Sequence, residues 1–347
     1  MTIAPFVFSG LPARVIFGRG RLAELAAEAE RLGMKRPLVI TGKQQAALGR
    51  DSAGRIAGAI AFDGAVMHTP VTVTETAMRV VREHGIDGTI AIGGGSAIGL
   101  GKAIAWRTDH PQIAVPTTYA GSEMTPILGE TADGAKTTRR DAKIQPETVL
   151  YDPELTLSLP APLSVASGMN AIAHGVEALY AKDGNPVISL MAEEGIRALA
   201  DALPRLAQAR AGALYGAWLC GTVLGAAGMA LHHKLCHVLG GSFDLPHAET
   251  HTVILPHAVA YNANAAPGAM ARIAQALGGG PAARGLFDLE RALDAPATLR
   301  EIGMREEDLD RAADLAVANA YWNPAPITRD GIRKLLDDAF HGKRPET

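Results

Sequence analysis

Six of the eleven histidines in this chain fall between positions 232 and 257: His232, His233, His237, His247, His251 and His257. Imidazoles gathered in this way bind divalent ions, donate hydrogen bonds and pass protons near neutral pH. His233 and His237 are four residues apart, so on a helix they share one face, and Asn170 and His174 in GMNAIAHGVEA have the same spacing. His247 follows Pro246 beyond the break at Gly240–Gly241, which lets it return toward the same place. Two helices and a loop can therefore converge a polar set. A single buried histidine is more often a satisfied core residue than a catalyst, but six together fit that reading poorly.

A second string, AIGGGSAIGLGKA (91–103), follows an apolar run and opens a helical one. Gly93, Gly94 and Gly95 allow close backbone approach, and the free N–H groups at Ser96 and Ala97 favour an anion such as a diphosphate. A tight strand-to-helix turn without a ligand would use the same glycines. The next apolar run ends in PTTYAGSE (116–123), whose Thr117, Thr118 and Ser122 carry hydroxyls suited to phosphate or ribose. Gly42 follows the first run where an acidic residue would grip the adenosine ribose, so a preference for NAD over NADP is not legible.

These loops need a sheet to carry them. PLVIT (37–41), AVMHT (65–69), GTIAIG (88–93) and QIAVP (112–116) read as buried strands. Helices are predicted from about Gln44, over Thr74–His84 with Thr74 as a possible cap, and over Ser96–Trp106. This alternation predicts an α/β domain with a parallel sheet. From Leu163 onward the pattern is long, apolar and helical, with helices expected near 164–181, 187–210, 211–238 and 247–265. Weaker ones are expected near 305–320 and 328–340, and a loop plus a short helix over 262–284. The expected organisation is a nucleotide-binding α/β domain over 1–155 and an all-helical domain over 156–347.

Length, with 347 residues, suits two domains of about 100–200 residues each. A net charge of −3 gives no electrostatic reason for nucleic acid or an anionic membrane as partner. Two cysteines, Cys220 and Cys236, in apolar surroundings favour a reducing compartment, and the N-terminal residues show no secretory signal. Residues 211–231 lack charge, but Gly212, Gly216, Gly221, Gly225 and Gly228 suit a buried helix better than a membrane span. A cytoplasmic enzyme is the expectation.

Taken in order, VIFGRGRLAEL, GGGSAIGLGKA, PTTYAGSE, YDPELTLSLP, GMNAIAHGVEA and LHHKLCHVLGGSFDLPHAETHTVILPH resemble the iron-containing alcohol dehydrogenase superfamily. The block HHKLCHVLGGSFDLPHAETHT is most similar to its maleylacetate reductase branch. The resemblance implies a dinucleotide-binding domain, a helical domain, an active site in the cleft between them, NADH or NADPH as cofactor, and a homodimer. It also implies a small dicarboxylate substrate whose conjugated double bond is reduced. In metal-dependent relatives one aspartate and three histidines hold the ion; the matching positions here are Asn170, His174, His233 and His247. Loss of the anionic ligand agrees with a branch that is not expected to need metal. The resemblance places Lys136 near the cofactor phosphates and Gly99 where relatives carry an acidic residue, and the reaction chemistry leads us to expect His237 closest to the nicotinamide. Lys234 is the first candidate for a substrate carboxylate, although it lies about 100° round the helix from His233, with His251 and Tyr119 as further candidates. A metal-dependent alcohol or polyol dehydrogenase, and a non-catalytic nucleotide-binding sensor, are the competing readings.

Overall fold

The computed structural model describes residues 14–132, 135–319 and 321–347, with isolated positions before residue 14. The chain divides into two compact units between Leu159 and Pro160.

In the first unit the strands are β1 (Arg14–Phe17), β2 (Pro37–Ile40), β3 (Ile60–Phe62), β4 (Gly88–Gly93), β5 (Gln112–Pro116), β6 (Ile127–Ala132), β7 (Ala135–Arg140) and β8 (Thr148–Tyr151). The helices are α1 (Leu25–Arg31), α2 (Ala46–Gly54), α3 (Val71–His84) and α4 (Gly95–Thr108). Six strands pair in the order β1-β8-β5-β4-β2-β3, all parallel. β6 and β7 form a separate antiparallel hairpin. Strands β2, β4, β5 and β8 are buried along their whole length. Both faces are covered, which is why they read as continuous apolar runs instead of alternating ones. Val39, Ile90, Ile92, Ile113, Val115 and Leu150 pack into one core, and Leu38 and Ile40 join Ala97, Leu100 and Ile104 in another. β4 lies between β2 and β5, so chain order reverses at the β2–β4 junction and the loops after these strands diverge there. Open α/β sheets bind ligands at the carboxyl end of such a junction.

Two local expectations fail here. The run AVMHT is not a strand; the strand is Ile60–Phe62, and His68 and Thr69 adopt φ of 65° and 44°. A left-handed pair cannot continue a ladder. Thr74 is not a cap either: Pro70 is the N-cap of α3, and the Thr74 hydroxyl reaches Glu130 Oε1 at 3.3 Å. β1, β8 and the hairpin were not anticipated.

The second unit is helical: α5 (Ala161–Leu179), α6 (Pro186–Ala202), α7 (Leu206–Ala226), α8 (Leu231–Phe243), α9 (His247–Asn262), α10 (Pro267–Ala276), α11 (Ala282–Ala292), α12 (Leu309–Val317) and α13 (Arg329–His341). α5 is buried nearly all round, as an apolar central helix must be. Glycine lets its neighbours close in. A Cβ on Gly216 of α7 would meet the Gly195 carbonyl of α6 at 2.8 Å, and one on Gly175 would meet Ile196 at 3.0 Å. The stretch 211–238 is not one helix. It breaks between Ala226 and Leu231, where α7 ends and α8 begins. The cause is Glu177 of α5, which accepts the N–H groups of Ala230 (2.9 Å), His232 (2.8 Å) and His233 (3.4 Å) and so caps a new helix. Where one short helix was expected over 262–284, α10 and the start of α11 flank a turn of Gly278, Gly279 and Gly280, all at positive φ. Among the described residues no single helix is long and apolar enough to cross a membrane.

Candidate active site

In the helical unit, α5 contributes Asn170, His174 and Glu177, one helical turn apart, all buried. α8 contributes His232, His233 and His237, and α9 opens with His247 and carries His251 one turn later. His233 stands at the centre. Its Nδ1 lies 2.7 Å from Glu177 Oε2, and its Nε2 lies 2.8 Å from His174 Nδ1. Burial alone would raise the Glu177 carboxyl, but the hydrogen bond and charge of His233, with the N–H groups of Ala230 and His232, hold it below its ordinary range. The ionised carboxylate accepts from His233 Nδ1–H. In the neutral ring Nε2 is then the acceptor, and His174 donates from Nδ1. A carboxylate and two imidazoles thus form one chain.

A second pair lies beside the first. His232 Nε2 and His251 Nδ1 are 2.9 Å apart. Burial, followed by the surrounding histidines, pushes both rings well below the usual histidine range, so both stay neutral. That removes His251 as a source of positive charge for a substrate carboxylate. Its ring packs 4.9 Å from that of His233 and 4.4 Å from that of His247, centroid to centroid. The His237 ring lies 6.4 Å from His233. His237 and His247 are exposed, whereas His174 and His233 are buried. The fold therefore brings together Asn170, His174, His233, His237 and His247. Lys234 points elsewhere: its ammonium sits over the Tyr321 ring, 5.8 Å from the centroid. His257 is apart from the cluster, against Phe287. Glu177, which orders the set, was missed; its signal was the spacing Asn170, His174, Glu177 along one face of α5.

In the α/β unit, α4 begins at Gly95 with Gly94 as N-cap and no side-chain capping bond. Its first-turn N–H groups are available to an anion. A Cβ on Gly93 would meet Ala97 at 2.9 Å, and one on Gly94 would meet Thr118 at 3.0 Å, whereas nothing lies within 4 Å of one on Gly95. Gly93 and Gly94 are required by packing, and Gly95 leaves an open cradle beside Ser96 and Ala97. Thr117 accepts a hydrogen bond from Gln45 Nε2 at 2.9 Å, tying the loops after β2 and β5 together. The Ser122 hydroxyl is buried without a hydrogen-bond partner among the described residues. A further missed residue sits beneath. The fully buried Lys102 of α4 donates to the Ser122, Thr125 and Ile127 carbonyls and to Thr125 Oγ1, clamping the loop that follows β5 onto the glycine helix. Burial pushes its ammonium down to about 7, against the opposing charge of Glu123. A Cβ at Gly99 would collide with Thr69 Oγ1, so Thr69 occupies the room an acidic side chain would use. Tyr119 is fully buried. Lys136 pairs with Thr131 in the hairpin, and its side chain lies outside the described residues.

This pairing of a glycine-cradle α/β unit with a histidine-bearing helical unit has known counterparts. The signature described as iron-containing alcohol dehydrogenase matches residues 12–153, and that of the C-terminal part of the same family matches 164–340. The chain belongs to the iron-containing alcohol dehydrogenase family. Within that family it is 54% identical over 350 residues to the maleylacetate reductase of Rhizobium sp. strain MTP-10005, covering 99% of both chains. The crystal structure of a maleylacetate reductase from Agrobacterium tumefaciens superposes with a TM-score of 0.95 at 55% identity, covering 99% of this chain and 100% of that one. A Ralstonia eutropha JMP134 structure described as a putative alcohol dehydrogenase gives 0.96 at 56%, with the same coverage. The family fold and its oxidoreductase class, expected from the motifs, hold.

Proposed function

We propose that this protein is a maleylacetate reductase that reduces the conjugated carbon–carbon double bond of maleylacetate with NADH or NADPH, giving 3-oxoadipate. The observation that carries this reading is Asn170 standing beside an intact histidine set, in a chain more than half identical to reductases of that name. The nicotinamide supplies a hydride to the carbon beta to the ketone. Negative charge then develops on the ketone oxygen as an enolate, and a proton is delivered to the alpha carbon. Fixed donors stabilise such a charge without a Lewis acid. In this assignment His247 donates directly, His174 donates from Nε2 once its ring carries a second proton, His233 couples that ring to Glu177, Asn170 stands beside them, and His237 serves the nicotinamide side. Glu177 holds His233 in one tautomer. Gly93, Gly94, Gly95, Ser96, Ala97, Thr117, Thr118, Ser122 and Lys136 bind the dinucleotide. Gly42 and Gly99 place no acidic group against a 2′-phosphate, which supports use of either cofactor.

The family description names iron, and the donor set here supports a metal-free reaction instead. Asn170 supplies no charge, and its Oδ1 is buried without a hydrogen-bond partner. Both His233 nitrogens are engaged, one by Glu177 and one by His174. The ring nitrogens of His232, His233 and His251 lie within 4.8 Å of one another, but with no anionic ligand at Asn170 and both His233 nitrogens engaged the neutral set fits a divalent ion poorly. The same reading includes a homodimer in the cytoplasm. The test is direct. The purified protein oxidises NADH or NADPH when maleylacetate is added, followed at the nicotinamide absorbance, and keeps its activity after exhaustive chelation. No oxidation with maleylacetate overturns the substrate. Loss of activity on chelation, restored by zinc or iron, overturns the metal-free mechanism.

A further inference from the structure

We propose that Tyr321 and Lys234 form a subsite for one carboxylate of the substrate, an inference that rests on the dicarboxylate reading above. Tyr321 lies in the segment between α12 and α13, outside every motif that pointed to the active site. Asn323 fixes that segment. Its Oδ1 accepts from Leu231 N–H at 3.4 Å and from Asn262 Nδ2 at 3.1 Å, and its Nδ2 donates to Asn262 Oδ1 at 2.7 Å and to the Ala325 carbonyl at 2.9 Å. Leu231 opens α8, so the segment is anchored to the turn that carries His232 and His233.

Two chemical features then meet. The Tyr321 hydroxyl is buried and has no hydrogen-bond partner among the described residues. An unmet buried hydroxyl is destabilising, and such a cost persists where a ligand relieves it. Burial pushes the phenol well up, with Tyr261 and Glu177 adding to the effect, so Tyr321 is a donor at any working pH. The Lys234 ammonium lies over the same ring, and Lys234 is the only cation in α8. A neutral O–H donor and a cation are what a carboxylate accepts from. Tyr321, Trp322 and Asn323 also line a cavity of about 610 Å³, large enough for a small acid. In this proposal the Tyr321 ring, 5.8 Å from the Lys234 ammonium, holds that charge for the far end of the substrate.

Carboxylate binding acts on ground and transition states alike, so its loss raises KM and spares kcat. In the full-length protein, Tyr321→Phe raises KM for maleylacetate by roughly ten- to a hundredfold, the range of a hydrogen bond to a charged group. kcat and NADH affinity stay near wild type. The inhibition constant of 3-oxoadipate rises in parallel, because the saturated product keeps both carboxylates and lacks the reactive double bond. Lys234→Met, a half-buried side chain whose loss leaves the core intact, gives the same pattern. The double variant is less impaired than the two effects multiplied, because both groups hold one carboxylate. Unchanged KM and unchanged product inhibition in both single variants, with an active wild type, overturn the subsite. An inactive wild type overturns the dicarboxylate reading itself and the subsite with it.

Discussion

Asn170 and Glu177 sit two helical turns apart on α5, with His174 between them. One is a carboxamide where the metal-dependent pattern has a carboxylate; the other is a carboxylate buried behind the histidines. The negative charge is thus behind His233 and not in front of it. That arrangement polarises the imidazoles toward an incoming enolate instead of repelling it. Reversing it is the direct experiment. Asn170→Asp completes a set of one carboxylate and three histidines, and calorimetry detects tighter binding of zinc or iron(II). Maleylacetate turnover falls roughly tenfold or more, equivalent to about 1.4 kcal/mol of barrier, because a new charge opposes both a dianion and a developing enolate. No gain in metal binding with unaltered turnover places Asn170 outside the site.

Helix starts carry much of the function. α8 exists as a separate helix because Glu177 takes its first N–H groups, and the resulting break aims His232 and His233 at α5. α4 begins without a side-chain cap, which leaves its first turn to an anion. Gly95 is the position where this can be probed without disturbing the fold, since a Cβ there meets nothing within 4 Å. Gly95→Glu keeps the wild-type melting temperature but weakens NADH at least tenfold in a fluorescence titration, as its carboxylate fills the cradle and repels the diphosphate. Unchanged NADH affinity removes the glycine loop from the cofactor site.

At the scale of the whole molecule, charges among the described residues are buried where they are partnered, with one exception. Glu290 of α11 is fully buried, and neither of its carboxylate oxygens has a hydrogen-bond partner among the described residues. Burial raises its pKa well above the ordinary value, against a weak opposing pull from Arg291. A carboxyl with a raised folded pKa favours the fold fully below its unfolded pKa of about 4.3. That favour is lost progressively as pH climbs toward the folded value. Glu290→Gln removes this slope. Its melting temperature matches wild type most closely near pH 5 and exceeds it increasingly toward pH 8, by about 2–4 °C for each kcal/mol of relief. A difference in melting temperature that is constant with pH shows that Glu290 is not held protonated.

The residues alone determined the α/β and helical halves, because buried parallel strands and an all-round apolar helix leave continuous hydrophobic runs in GTIAIG and GMNAIAHGVEA. They also determined the glycine loop and the histidine set, since catalytic types at four-residue spacing share a helix face whatever the packing. Tertiary structure decided what depends on distant partners. Short β1 and β8 gain strand identity from their ladder partners, β1 from β8 and β8 from β1 and β5. His68 and Thr69 turn left-handed, and Thr69 comes to lie over Gly99. A continuous helical reading over 211–238 hides a break that Glu177, some fifty residues earlier, creates. Lys102 and Tyr321 look like ordinary helix and loop residues until burial shows one clamping the loop after β5 and the other holding an unmet hydroxyl beside Lys234. Periodicity reports which face is apolar; it carries no record of which remote polar group will meet that face, and the active site is assembled from such meetings.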